Sequence, residues 1–123
     1  MTMTLAHENL ARTRSNWTSA CTVGQLIPGL GVAVLLRGGE QAALFLLPDG
    51  QLRAVGNIDP FARAAVISRG LVGDRAGEPV VISPLLKQAF SLLDGRCLDQ
   101  PAVRLPVHEV RVLDGGLVQV RRA

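Results

Sequence analysis

Ser83–Gly95, SPLLKQAFSLLDG, is the stretch from which the rest of the chain is best read. Ser-Pro opens it as a turn pair, because the proline ring fixes its own φ and biases the preceding residue toward extended backbone. Gln88–Leu92 then reads as a short strand, and Asp94-Gly95 closes it with residues suited to a tight turn. Upstream, GNIDPF at Gly56–Phe61 has a similar character. Asn57 and Asp59 tolerate turn dihedrals, and Pro60 has no N–H to offer a ladder. Two proline-bearing polar turns, each leading into or out of short apolar runs, predict loops carried on a sheet.

Working outward, the pattern is β. Strands are predicted at Trp17–Cys21, Gly31–Arg37 (GVAVLLR), Gln41–Leu47 (QAALFLL) and Gln51–Gly56, with a turn or helical turn over Val23–Leu26. Gly38-Gly39 between two such runs is a hairpin signal, and Pro48-Asp49-Gly50 turns the chain again. The segment from Asn57 to Gly77 is poor in regular signals, with one short strand expected at Ala65–Ser68. Pro79–Ser83 and Gln88–Leu92 follow, flanking the second loop. At the end, His108–Leu113 and Leu117–Arg122 form a hairpin around Asp114-Gly115-Gly116. In that hairpin valines 110, 112, 118 and 120 alternate with polar residues, which predicts one buried face and one wet face. About nine short strands with turn residues between them argue for an all-β sandwich or barrel with no long helix.

Composition sets outer limits. A chain of 123 residues fits one domain, and 48% hydrophobic content is ample for a core. Only Trp17, Phe45, Phe61 and Phe90 are aromatic, so the core must be aliphatic. No apolar run approaches the ~20 residues of a membrane span. The N-terminal MTMTLAHENLARTRSNW has no hydrophobic signal core, which predicts a cytoplasmic protein with residues 1–16 as a flexible tail. The thirteen basic residues, all arginine except Lys87, give a net charge of +3. They are scattered and not interleaved with aromatics, which argues against nucleic-acid binding. Cys21 and Cys97 lack a Cys or His at metal spacing and read as reduced, structural thiols. No Ser-His-Asp, Cys-His or glycine-rich phosphate motif is present, so no active site is expected in this chain.

The two loops resemble those of Rieske-type [2Fe–2S] proteins. In that family the first loop carries Cys-x-His, where this chain has Asn57-Ile58-Asp59. The second opens with Cys-Pro and has a His three positions after the Cys, where this chain has Ser83, Pro84 and Leu86. A Rieske centre needs two thiolates on one iron and two imidazoles on the other, and Asn57, Asp59, Ser83 and Leu86 cannot supply them. With both pairs replaced, with Lys87-Gln88 after the second loop, and with Ser68–Asp74 (SRGLVGD) and Gly95–Asp99 (GRCLD), the chain is similar to small subunits of assimilatory NAD(P)H nitrite reductase from about Trp17 to Val120.

That resemblance implies a single Rieske-like domain over 17–123, with residues 57–92 as an inserted subdomain carrying the loops. It implies a non-catalytic subunit with no cofactor of its own. FAD, a [4Fe–4S] cluster and siroheme would sit on a large subunit that reduces nitrite to ammonia. Phe61, Pro84, Lys87 and Gln88 become candidate contacts for that partner. Phe61 and Leu86 are expected to pack where the cluster and imidazoles would lie, and Ser83 to hydrogen-bond Asn57 or Asp59 across the gap. Two other readings are a Rieske-type electron-transfer ferredoxin and a free-standing β interaction module.

Overall fold

A computed structural model describes residues 16–122. Eleven strands are present: β1 (Trp17–Thr22), β2 (Gly31–Leu35), β3 (Gln41–Leu46), β4 (Leu52–Gly56), β5 (Ile58–Asp59), β6 (Ala64–Ala65), β7 (Leu71–Arg75), β8 (Glu78–Ile82), β9 (Ala89–Ser91), β10 (Val107–Val112) and β11 (Leu117–Arg121). The only helical pieces among the described residues are 3₁₀ turns at Val23–Gln25, Ile67–Arg69 and Asp114–Gly116. The all-β expectation holds.

Six strands form one antiparallel sheet in the order β1-β11-β10-β4-β3-β2. A three-stranded sheet, β7-β8-β9, lies within the chain between β4 and β10, preceded by the β5-β6 ribbon. β3 explains how the two parts join. Its even residues Ala42 and Leu44 pack with Val34, Leu36, Ala54, Val118 and Val120 inside the curved sheet. Its odd residues Ala43 and Phe45 pack the other way, with Val55, Ile67, Val81, Phe90 and Leu92. A strand buried on both faces has no polar alternation, which is why 42–47 reads as a continuous apolar run. Phe45 and Phe90 are fully buried in the second cluster, each contributing about 1.5–3 kcal/mol.

The middle of the chain departs from the sequence reading. Ala65–Ser68 is not one strand: β6 ends at Ala65, and Ile67–Arg69 is a 3₁₀ turn whose Ile67 is fully buried. β7, with Gly73, Asp74 and Arg75, carries no apolar alternation, and its pairing with β8 makes it a strand. The terminal hairpin obeys the alternation on β11, where Val118 and Val120 are fully buried, but Val112 is exposed near the hairpin end.

Glycine is required where segments touch. A Cβ on Gly95, which has φ +81°, would come within 2.0 Å of the Leu105 carbonyl oxygen. One on Gly31 would come within 2.3 Å of the Ser68 carbonyl oxygen, so β2 and the Ile67 turn meet backbone to backbone.

His108, on β10, is buried, and that burial holds its imidazole below the ordinary value; nearby Glu40 opposes the shift and Arg122 adds to it. Between the depressed value and the unfolded value of about 6.5, the unfolded chain therefore binds more protons. Stability rises with pH through that window and is lost below it. We expect Tm to fall on acidification through about pH 6.5, and His108→Gln to remove that component of the slope. Parallel wild-type and variant curves in a pH series of thermal melts would show that His108 does not carry it.

Candidate functional site

The first loop is built around two fully buried polar side chains. Asn57 Oδ1 accepts the Ser68 N–H at 2.7 Å, and Asn57 Nδ2 donates to Gln41 Oε1 at 3.0 Å. Its own N–H donates to the Gln41 carbonyl, and its carbonyl accepts from Ile67 N–H. Asn57 thus ties β3, the first loop and the 3₁₀ turn together. Asp59 Oδ1 accepts the N–H groups of Phe61 and Ala62 at 2.8 and 3.1 Å, which folds the chain back as an Asx turn. The turn closes with Arg63 N–H on the Asp59 carbonyl and Arg63 in the left-handed region at φ +56°.

The second loop is a tight reversal between β8 and β9. Ser83 N–H donates to the Gln88 carbonyl, and Lys87 N–H donates to the Ser83 carbonyl. Lys87 takes φ +63°, uncommon for a side chain with a Cβ. The loops are joined where Ser83 Oγ donates a hydrogen bond to Asp59 Oδ2, with both residues fully buried.

Of the four positions that the Rieske resemblance equates with cluster ligands, Asp59 and Ser83 meet through their hydrogen bond, and Asn57 is engaged by Gln41 and Ser68. The fourth does not join them. Leu86 is 53% exposed, so the expectation that it packs in the cluster's place fails. The Ser83–Asp59 bond already closes the gap, and the Lys87 turn carries Leu86 outward. Phe61 does face inward, its ring 6.1 Å from Phe90 and packed against the buried cluster. Pro84 and Gln88 are half-buried, Gln88 facing the buried thiol of Cys97, and Lys87 is exposed. Ile58, Leu85 and Leu86 stand exposed on the two loops, with Arg63 and Lys87 beside them.

A [2Fe–2S] centre does not fit these residues. A Rieske cluster takes thiolates and imidazoles, and the four positions offer an amide, a carboxyl, a hydroxyl and an isobutyl group. The Asp59 and Ser83 oxygens are bonded to each other, and Asn57 has both amide atoms engaged. Among the described residues no group of three or more His, Cys, Asp or Glu could hold a metal ion, and no helix is long and apolar enough to cross a membrane.

Sequence reasoning missed Gln41, which carries Asn57, and the outward Ile58 and Leu85. Gln41 is legible in hindsight as a lone amide heading an apolar strand. Ile58 and Leu85 are apolar residues inside Pro- and Asp-bearing turns, with no strand period to bury them.

Two apposed loops on a small sheet, carried by an antiparallel curved sheet, define a Rieske-like domain. The profile of the Rieske-like [2Fe-2S] domain matches residues 16–121. A nitrite reductase (NADH) small subunit of Salmonella typhimurium is 44% identical over 108 residues, covering 87% of this chain and 98% of that protein. A crystal structure named as an NADH-dependent nitrite reductase small subunit of Mycobacterium tuberculosis superposes with a TM-score of 0.85 at 59% identity, covering 87% of this chain and 95% of that one. The chain belongs to the nitrite reductase small-subunit family of Rieske-like domains. A nitrite reductase [NAD(P)H] large subunit of Klebsiella oxytoca is also 40% identical over 99 residues, 80% of this chain but 10% of that protein.

The Asp59–Ser83 bond generates a stability prediction. Ser83→Ala leaves the buried Asp59 oxygen without its donor, at a cost of about 1–3 kcal/mol. The paired change Ser83→Ala with Asp59→Ala should cost less than the sum of the two singles. Urea melts of the three variants check this; strict additivity would mean that the two side chains act independently.

Proposed function

We propose that this chain is the non-catalytic small subunit of an NAD(P)H-dependent nitrite reductase, acting in the cytoplasm on a large siroheme subunit that reduces nitrite to ammonia. The observation that carries the reading is the hydrogen bond from Ser83 Oγ to Asp59 Oδ2, at positions where cluster-bearing relatives place metal ligands. A loop pair stapled by hydrogen bonds keeps its shape without iron and has no electron to pass on. The chain therefore carries no cluster, and the flavin, [4Fe–4S] and siroheme centres belong to the partner.

The large-subunit relative from Klebsiella oxytoca supports the pairing, because a segment like this chain forms part of its single polypeptide. In the domain spanning 17–123, the 57–92 segment presents the partner-facing loops. Ile58, Leu85 and Leu86 supply the apolar contact, Pro84 and Gln88 shape the second loop, and Lys87 supplies a cation. Phe61 acts from beneath by holding the first loop against Phe90.

The test is co-expression with the large subunit. The isolated chain should be colourless and iron-free. The Ser83→Cys/Leu86→His variant should also stay colourless, since Asn57 and Asp59 still supply no ligand pair. Leu86→Glu combined with Lys87→Glu should lower co-purification by about tenfold while leaving the thermal melt unchanged. Stoichiometric iron with visible charge-transfer bands would replace this reading with electron transfer by a ferredoxin. A folded variant that co-purifies like wild type would move the contact off the loops.

A further inference from the structure

The six-stranded sheet has two edges, and they are treated differently. At β1, the register slips between Ser19 and Cys21 in its pairing with β11, and the strand reads WTSACT. A bulge and polar side chains of this kind blunt an edge against further pairing. β2, the opposite edge, reads GVAVL, with no charge, no proline and no register slip against β3.

The hydrogen-bond parity of β2 follows from its hairpin with β3. Leu36 N–H donates to the Glu40 carbonyl, one step beyond the Leu35–Gln41 pair. Bonded pairs alternate along an antiparallel ladder, so Val34 and Val32 bond to β3. The N–H and C=O groups of Gly31, Ala33 and Leu35 point away from it. Arg37, next in that parity, shows the direction: its N–H donates to Thr18 Oγ1, and its Nε to the Trp17 carbonyl. There β1 caps the far end of the edge. Between Gly31 and Leu35, the outward backbone groups have no hydrogen-bond partner among the described residues.

The side chains here are as unusual as the backbone. Ile27, Leu30 and Leu35 are 60%, 58% and 66% exposed, and Val32 joins them. These four of the chain's exposed large hydrophobics lie within nine residues of sequence. An apolar edge of this type, uncovered among the described residues, is an aggregation hazard that folded proteins ordinarily avoid. The edge is also continuous with the first loop, because Leu35 pairs across the strands with Gln41, whose side chain holds Asn57.

We propose that β2 is a strand-addition site, and that its occupant is an extended, apolar segment of the large subunit. Alternating outward donors and acceptors at Gly31, Ala33 and Leu35 are met in register by an extended backbone. The flanking aliphatics select apolar side chains on alternate positions, and the absence of charge from Ile27 to Leu36 rejects an acidic or basic peptide. The large subunit is the occupant because a segment like this chain is part of one polypeptide with it in Klebsiella oxytoca. The inference rests on the large-subunit reading above.

The experiment is hydrogen exchange on the full-length chain, alone and with the purified large subunit, together with affinity measurements on edge variants. Binding should slow exchange of the Gly31, Ala33 and Leu35 amides by about tenfold or more. Ala33→Pro removes one outward N–H without touching the bonds to β3, and should weaken binding by about tenfold. Leu35→Lys, a gatekeeper charge that leaves the backbone alone, should do the same and stands in if the proline variant fails to fold. Complex formation with unchanged exchange at these amides, or with wild-type affinity in Leu35→Lys, would overturn the edge assignment alone. No binding of wild type to the large subunit would overturn the subunit reading itself. Protection of the same amides in the isolated chain, through self-association or through residues 1–15, would give the edge a different occupant and also overturn the proposal.

Discussion

The hydrogen bond between Ser83 and Asp59 is the contact on which the functional end of the molecule depends. In a cluster-bearing domain, metal coordination holds two loops together against their own flexibility. Here a hydroxyl and a carboxyl, both removed from water, do so through a hydrogen bond. A hydrogen bond in a dry environment is electrostatically stronger than its solvent-exposed counterpart, and the same dryness makes its loss costly. The remaining Asp59 oxygen is satisfied by two backbone N–H groups of its own loop. Position and satisfaction are thus achieved by the same residue.

Asn57 extends that logic from the loops into the sheet. It bonds to Gln41 on β3 and to the turn that carries Ile67, whose side chain fills the cluster around Phe45 and Phe90. A displacement of the first loop would therefore disturb both cores, because β3 contributes alternate residues to each. The second loop is braced differently: Glu78 and Asp94 grip Arg96 at the other end of the small sheet, and Ser91 donates to Glu78. The Arg96 bonds hold both carboxyls below their usual range. The result is a rigid platform whose tips are apolar, with Leu85 and Leu86 turned to solvent.

This division makes physical sense for a domain whose two loops offer no thiolate or imidazole at these four positions. Cluster ligands cap loop tips with iron and imidazole. Asp59 and Ser83 form an interior polar staple, Asn57 ties the first loop to the sheet, and Leu86 is exposed surface. The Leu86 side chain is expected inside because the resemblance puts it where a cluster imidazole would lie, yet the left-handed turn at Lys87 and the closed Ser83–Asp59 gap leave it no interior to enter.

Much of the architecture was legible in the sequence because it is local. Period-two alternation in Leu117–Arg122, Gly-Gly and Asp-Gly turns and the unbroken apolar run of 42–47 are properties of neighbouring residues. They set the all-β class and most strand positions, and the order of the loop motifs carried the family resemblance. What neighbours could not determine was anything that depends on a distant partner. β7 is a strand because β8 pairs with it, and Ile67 is core because Phe45 lies across from it. Asp59 finds Ser83 rather than water because the small sheet brings 24 residues of chain back on itself. β2 and β1 both read as strands, but only the sheet order makes them edges and leaves β2 without a further strand among the described residues. Local propensity is written in the chain; which groups are left unsatisfied is decided by what the fold places beside them.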